Sequence, residues 1–172
     1  MVEAAAEIAE SVPGIDKVGV FVNQPLAKVK EIVKWCNLKY VQLHGDEDPE
    51  YCRAVEVPVI KGFRVDDSLS AALIRSFPVE YLLLDSFVPG QSGGTGVSFN
   101  WRRTKSMVGQ LTRPVLVAGG LTTENVAEAI HVLKPAGVDV SGGVETNGEK
   151  DFEKIRRFIQ TVRTATGSES NA

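Results

Sequence analysis

The stretch "PVLVAGGLTTENVAEAIHVLKPAGVDVSGGVE", residues 114–145, decides the fold. It holds two β-rich runs, "PVLVAGG" (114–120) and "GVDVSGG" (137–143), on either side of a segment whose apolar residues recur at helical spacing. That spacing predicts an amphipathic helix that packs one face on a sheet, with Thr122 or Thr123 as its N-cap. Strand, helix and strand in this order form the repeating unit of a parallel sheet, so the stretch predicts an α/β protein.

Four more β-rich runs precede this stretch, which gives six predicted strands. They are "KVGVFVN" (17–23), "YVQLHG" (40–45), "PVIKGFRV" (58–65) and "YLLLDS" (81–86). Most of the six are continuously apolar, as expected for parallel strands covered on both faces. Because no linker or change of composition interrupts the chain, we expect one domain over residues 1–165, followed by a polar tail at 166–172.

The positions of the polar residues favour a barrel over a doubly wound sheet. They collect at the carboxyl ends of the predicted strands: Asn23, His44, Asp46, Arg64, Asp85, Gly119, Gly120, Ser141, Gly142 and Gly143. In (β/α)8 TIM barrels this rim holds the active site, and the loops after the last two strands often bind phosphate. Paired glycines after a strand are usually turns, but two such pairs on adjacent strands favour a phosphate site.

The number of strands is too small for a complete barrel, which has eight strands and about 250 residues. If the two glycine pairs follow the seventh and eighth strands, the six predicted strands are strands three to eight. We therefore expect an incomplete barrel. Its two end strands would be exposed edges, which predicts a homo-oligomer or marginal stability.

The composition is that of a soluble globular domain that acts on small molecules. The chain has 172 residues, 43% hydrophobic and 24% charged, with a net charge of -3. It has no apolar stretch of the roughly 18 to 20 residues that a membrane helix needs, and no long basic cluster that would favour nucleic acid. We therefore expect a cytoplasmic protein with neither a membrane nor a nucleic acid as partner. Its two cysteines lack metal-ligand spacing and are expected to be reduced thiols.

Three polar side chains are candidates for chemistry. Asp85 ends an apolar strand shortly before the glycine-rich "SGGTG" (92–96). This position suits a catalytic acid beside a loop that closes over a substrate. The alternative is that Asp85 caps a helix or begins a turn. A lone histidine such as His44 is more often structural. Asp139 lies within a predicted strand and needs a partner, which is either a ligand or a group of the barrel interior.

Five motifs in this order resemble the phosphoribosylanthranilate isomerase family of tryptophan biosynthesis. They are "VGVFVN" (18–23), "VQLHGDE" (41–47), "LLLDS" (82–86) followed by "GGTG" (93–96), "VLVAGGLTTENV" (115–126) and "GVDVSGGVE" (137–145). The resemblance covers nearly the whole chain. It implies a single-domain (β/α)8 barrel that acts on a phosphosugar and uses neither a metal nor an organic cofactor.

The resemblance also implies a reaction and a role for each candidate residue. The family isomerises N-(5'-phosphoribosyl)anthranilate to 1-(2-carboxyphenylamino)-1-deoxyribulose 5-phosphate by an acid–base Amadori rearrangement. By resemblance Asp85 is the general acid, and apolar neighbours would favour its protonated form. By resemblance His44 and Asp139 bind the substrate. The implied phosphate-binding residues are Gly119, Gly120, Ser141, Gly142 and Gly143.

One part of the family pattern has no counterpart in this sequence. The family's first strand carries the catalytic base, a cysteine in "K-x-C-G", and its second strand carries an arginine. Cys36 and Cys52 instead fall in predicted helices, so we expect the base to be absent and isomerase activity of this chain alone to be doubtful. One rival is another phosphosugar barrel, such as an epimerase or a thiamin-phosphate synthase, which would carry different strand-end residues. The other is a non-catalytic phosphate-ligand binder, or an assembly partner completed by a separate N-terminal segment.

Overall fold

The structure, a computed structural model, describes residues 2–86 and 99–167. The glycine-rich motif at 92–96 and residues 168–172 of the predicted tail lie outside the described residues. The helices among the described residues are α1 (Val2–Ser11), α2 (Leu26–Trp35), α3 (Pro49–Ala54), α4 (Ala71–Arg75), α5 (Trp101–Val108), α6 (Val126–Leu133) and α7 (Phe152–Ala165). The strands are β1 (Val18–Phe21), β2 (Tyr40–Leu43), β3 (Val59–Val65), β4 (Tyr81–Ser86), β5 (Val115–Val117), β6 (Gly137–Val138), β7 (Glu145–Thr146) and β8 (Glu149–Lys150).

The six predicted strands form one sheet in chain order, β1-β2-β3-β4-β5-β6. Val18 pairs with Tyr40, Val41 with Val59 and Leu116 with Gly137, and each of these pairings is parallel. Successive strands are joined by a helix, so the predicted parallel α/β arrangement is confirmed. In β4 the consecutive residues Leu82, Leu83 and Leu84 are all buried. Because successive side chains point to opposite faces, this strand is covered on both sides.

The described residues divide into two compact units, of which the first comprises residues 2–63 and 72–82. Its buried side chains come from strands and from the helices that cover them, among them Val29 of α2, Val41 and Leu43 of β2, and Ile74 of α4. Val18 and Val20 of β1, the strand that begins the sheet order, are exposed. An apolar strand face is therefore left open to solvent in this unit.

The second unit comprises residues 64–71 and 83–167. Val117, Leu121, Val126 and Ala129 are buried in it, which fits the apolar stripe predicted for the segment between β5 and β6. A 3-10 turn at Gly142–Val144 follows β6 and leads into the β7–β8 hairpin.

The β7–β8 hairpin was not predicted. Its two-residue loop is Asn147-Gly148, and both residues have positive φ, 54° and 83°. That is the backbone of a type I′ turn, for which Asn-Gly is the favoured sequence. The flanking strands are polar and only two residues long, so they lack the apolar alternation by which strands are recognised.

No helix among the described residues is long and apolar enough to cross a membrane.

Candidate functional site

Asp85 and Gly119 lie against each other in the second unit. Asp85 is the penultimate residue of β4, and Gly119 comes shortly after β5, whose end is held by a 2.8 Å hydrogen bond from the Ala118 N–H to the Leu84 carbonyl. A β-carbon on Gly119 would collide with Asp85 Oδ1 and with the backbone N and Oγ of Ser86. The absence of a side chain at Gly119, with its φ of +80°, therefore makes room for the carboxylate.

Asn125 holds the turn that contains Gly119 and Gly120. Its Oδ1 accepts a hydrogen bond from the Thr122 N–H (2.8 Å), and its Nδ2 donates one to the Gly120 carbonyl (2.8 Å). Asn125 directly precedes α6, which begins at Val126, so Asn125 and not a threonine stands at the N-cap position. The predicted Thr122 nevertheless makes a cap-type contact just before the helix, because its Oγ1 accepts a hydrogen bond from the Glu124 N–H at 3.2 Å. The Asn125 side chain spans the loop instead of capping the helix. Sequence reasoning missed this role, although asparagine before an apolar helix is a known loop and cap signal.

The two glycine loops meet at Gly143 and Leu121. A β-carbon on Gly143 would collide with the Leu121 carbonyl oxygen and would lie 2.9 Å from its carbonyl carbon and 3.2 Å from Thr122 Cα. The loop after β6 therefore lies directly on the loop after β5. The second unit brings together the predicted acid and both predicted phosphate loops.

Lys150 braces the loop after β6. Its Nζ lies 3.1 Å from both the carbonyl oxygen and Oγ of Ser141, and 2.6 Å from Glu145 Oε1. Because Lys150 ends the unpredicted β7–β8 hairpin, sequence reasoning did not connect it with Ser141. The hairpin thus places an ammonium group beside a loop of glycines and a hydroxyl group, a combination that suits an anion.

Asp139 directly follows β6 and is exposed, so the premise that it is a buried strand residue is wrong. Its backbone N–H donates to the Val117 carbonyl at 2.9 Å, which continues the β5–β6 ladder. The ladder ends close to this position, where the side chain meets solvent. His131, to which no role was assigned, is an exposed residue of α6 whose Nδ1–H donates to the Ala127 carbonyl at 2.6 Å.

His44 belongs to the first unit and directly follows β2. Its backbone N–H donates to the Phe21 carbonyl at 2.9 Å, and its ring Nδ1 lies 3.1 Å from Gln42 Nε2. A β-carbon on Gly62 would come within 2.7 Å of the same Nδ1. The imidazole therefore occupies space that a glycine of β3 leaves open.

A buried ion pair, Lys61 with Glu47, joins β3 to the residues at the ends of β1 and β2. Lys61 Nζ lies 3.2 Å from Glu47 Oε2, and the two side chains are only 4% and 2% exposed. The ammonium also donates to the carbonyls of Gly45 (2.6 Å) and Leu43 (3.3 Å). The carboxylate accepts from the backbone N–H groups of Asn23 (2.7 Å) and Gly45 (2.9 Å). Sequence reasoning missed the pair, although a lysine within an apolar strand is a signal that it needs a partner.

Neither cysteine lies at the carboxyl end of a strand. Cys36 directly follows α2 and Cys52 lies within α3, and both are buried free thiols. Burial raises the pKa of the Cys52 thiol to about 11, although the Lys61 ammonium opposes that shift. Its thiolate form is therefore scarce near neutral pH.

A further concave surface lies along two helices of the second unit. A groove of about 700 Å³ along α6 and α7 is lined by Thr123, Ala127, His131 and Arg157 among others, and contains none of the predicted site residues. Within residues 2–86 and 99–167, no three His, Cys, Asp or Glu side chains could together hold a metal ion.

The fold consists of parallel strands joined by helices, with Asp85 at the end of β4 and a glycine loop after each of β5 and β6. This arrangement defines an α/β protein of the (β/α)8-barrel type. The family model for N-(5'-phosphoribosyl)anthranilate (PRA) isomerase matches residues 1–161. The chain therefore belongs to this isomerase family of tryptophan biosynthesis, as the motifs predicted.

Relatives and solved structures agree with this assignment. The chain is 46% identical over 167 residues to N-(5'-phosphoribosyl)anthranilate isomerase of Moorella thermoacetica, covering 95% of this chain and 74% of that one. The crystal structure of phosphoribosyl anthranilate isomerase from Thermus thermophilus matches with a TM-score of 0.83 at 33% identity, covering 95% and 80% of the two chains. Another isomerase structure, in complex with reduced 1-(o-carboxyphenylamino)-1-deoxyribulose 5-phosphate, matches with a TM-score of 0.77 at 33% identity, covering 97% and 80%.

Proposed function

We propose that this chain provides the acid and the phosphate site for the isomerisation of N-(5'-phosphoribosyl)anthranilate to 1-(2-carboxyphenylamino)-1-deoxyribulose 5-phosphate. The observation that carries the proposal is the contact of Gly119 with Asp85, which joins a carboxyl group to a glycine loop of the kind that binds phosphate. The related isomerase whose structure was compared above is in complex with the reduced form of this product.

In the proposed reaction Asp85 gives its proton to the ribose ring oxygen. The bond between that oxygen and C1 breaks, and the nitrogen lone pair forms the C1–N double bond of an open-chain iminium ion. A base then removes the C2 proton, and the electron pair of that C–H bond neutralises the nitrogen to give an enol. Its tautomer is the ketose product. The acid step is general acid catalysis, which contributes about 10²- to 10⁴-fold in rate.

The proposed phosphate site uses backbone N–H groups of Gly119, Gly120, Gly142 and Gly143, together with Ser141. Two observations support it: Gly143 lies on the Leu121 carbonyl, which makes the two loops neighbours, and the Lys150 ammonium is 3.1 Å from Ser141 Oγ. Adjacent N–H groups with a nearby cation suit a phosphate monoester. For His44 and Asp139 we propose contacts with the remainder of the substrate.

We propose that the base is not a cysteine of these 172 residues. Cys36 and Cys52 are buried and associated with helices, and the raised pKa of Cys52 disfavours its thiolate. A cysteine in a "K-x-C-G" strand supplied by other residues would complete the acid–base pair. The same observation favours a second candidate function, a phosphate-ligand binder or assembly partner that turns over only when such a segment is supplied.

A combined binding and activity experiment tests the proposal. Residues 1–172, freed of host isomerase, are titrated with the reduced product and assayed by the fluorescence decay of the anthranilate substrate. We expect binding without turnover, and turnover once a strand–helix–strand segment with "K-x-C-G" is added. Failure to bind the reduced product would rule out the substrate class. Turnover by residues 1–172 alone would contradict the proposal that the base comes from other residues, and loss of that turnover in Cys36→Ala with Cys52→Ala would place the base at one of these two thiols.

A further inference from the structure

The buried pair of Lys61 and Glu47 is a charged feature that the proposed reaction does not use. Both side chains are almost fully buried, yet an ion pair in the interior rarely stabilises a fold more than apolar residues of similar size. Its presence therefore calls for a reason other than stability.

The contacts of the pair converge on one short segment of backbone. The Lys61 ammonium has three acceptors, namely the carbonyls of Leu43 and Gly45 and the carboxylate of Glu47. The carboxylate in turn binds the N–H groups of Asn23 and Gly45. A buried network whose members are all hydrogen-bonded holds a single backbone conformation.

His44 is the residue that this network surrounds. It stands between Leu43 and Gly45, both of which bind Lys61 through their carbonyls. Its ring also lies against Gly62, the residue next to Lys61 in β3. A displacement of the Leu43–Gly45 backbone would therefore move the imidazole directly.

We propose that Lys61 and Glu47 are positioning residues that fix the backbone on both sides of His44 and thereby set the place of its imidazole for ligand binding. The ligand-binding part of this inference rests on the proposed function. The positional part concerns the free protein and is measured without a ligand.

The test uses the double variant Lys61→Met with Glu47→Leu, which removes both charges and keeps the side chains apolar and similar in size. Its matched control is Lys30→Met with Glu56→Leu, which removes an exposed pair of the same unit whose N···O distance is 2.8 Å. The chain has only two histidines, so the imidazole signals in a ¹H–¹⁵N spectrum come from His44 and His131 alone. His131 then reports on the fold elsewhere.

We expect the double variant to remain folded but to melt at a lower temperature, because four backbone groups lose these partners. It should keep its His131 signals and shift those of His44. Its affinity for the reduced product should fall on the order of 10- to 100-fold, the loss expected when a hydrogen bond to a charged ligand group is broken. The control should change neither histidine nor the affinity. A folded double variant with unchanged His44 signals would overturn the inference. If the double variant does not fold, the single variant Glu47→Gln, which keeps the size and shape of the side chain, is tested by the same His44 and His131 signals.

The experiment distinguishes a failure of the positioning proposal from a failure of the proposed contact between His44 and the substrate. If the double variant shifts His44 but the reduced product leaves the His44 signals of the unchanged protein unmoved, the positioning role stands and the substrate contact of His44 is wrong. If the product moves the His44 signals equally in both proteins and with equal affinity, the positioning role is wrong and the substrate contact stands.

Discussion

The α-carbon of Gly143 lies so close to the carbonyl oxygen of Leu121 that a β-carbon has no room. The neighbouring atom is backbone and has no rotamer with which to move away. Any side chain at this position must separate the loop after β6 from the loop after β5. The geometry of the proposed phosphate site therefore depends on a residue without a side chain.

Gly143→Ala should abolish the stabilisation of the protein by inorganic phosphate. A ligand that binds only the folded state raises the melting temperature as its concentration rises. Melting curves over a series of phosphate concentrations measure this effect. Gly109→Ala is the matched control, because its new β-carbon would meet its nearest atom at 3.6 Å. An undiminished phosphate effect in Gly143→Ala would place the anion elsewhere.

Asp85→Asn should lower kcat by about 10²- to 10⁴-fold, measured in a form of the protein to which a base-bearing segment has been added. The amide is nearly the same size but cannot donate the acid proton, so the melting temperature should change little. Asp67→Asn is the control, because that carboxylate pairs with Arg103 on the surface. Near-normal turnover of Asp85→Asn in the anthranilate fluorescence assay would refute the assignment of the acid.

Cys52 should make the protein less stable at alkaline pH. Its pKa is about 11 in the folded chain, against an ordinary 9.0, because burial disfavours the thiolate. A raised pKa means that the thiol keeps its proton to a higher pH in the folded state than in the unfolded state. The resulting contribution to stability is complete below pH 9 and is lost as the pH rises toward about 11.

Denaturant titrations between pH 8 and 11 measure this loss, and Cys52→Ala should make it smaller. At pH 8 the native thiol should also react with iodoacetamide roughly 100-fold more slowly than a thiol of ordinary pKa, since its thiolate fraction is that much lower. Rapid native labelling of Cys52 would contradict its assigned burial.

Val20→Lys should reduce self-association of the chain. Val20 is 61% exposed on β1, the strand that begins the sheet order, beside Val18 and Val22, which are also exposed. An apolar edge strand invites pairing with another chain, and lysine on such an edge opposes it. Light scattering after size-exclusion chromatography, at several concentrations, measures the effect. Leu73→Lys, at an apolar residue of α4 that is 50% exposed, should leave the association unchanged. If the unchanged protein is a monomer at all concentrations tested, the prediction of self-association through β1 is wrong.

The strand order and the placement of Asp85 and the paired glycines at the ends of β4, β5 and β6 were predictable because their signals are local. Apolar runs such as "YLLLDS" mark buried strands, and the carboxyl ends of parallel strands meet at one edge of a sheet. The Lys61–Glu47 pair and the contact of Lys150 with Ser141 were not predictable in this way, because each joins residues through side chains whose partners depend on tertiary packing. The link from Asn125 to Gly120 is local and was missed although its signal was present.

Asp139 is a residue for which the sequence pattern suggested burial and the structure shows an exposed side chain. Its sequence neighbours are apolar, which suggested a buried strand residue, but β6 ends at Val138 and the side chain beyond it meets solvent. Sequence patterns locate a strand better than they locate its last residue.

The pairing of consecutive strands has a consequence for how the chain folds. In the pairings of β1 with β2, β2 with β3 and β5 with β6, the partners are only about twenty residues apart along the chain, with one helix between them. Closing such short loops costs little chain entropy, and proteins dominated by near-neighbour contacts fold faster than those that join distant segments. The chain entropy lost when each of these ladders forms is therefore smaller than it would be for strands brought together from opposite ends of the chain.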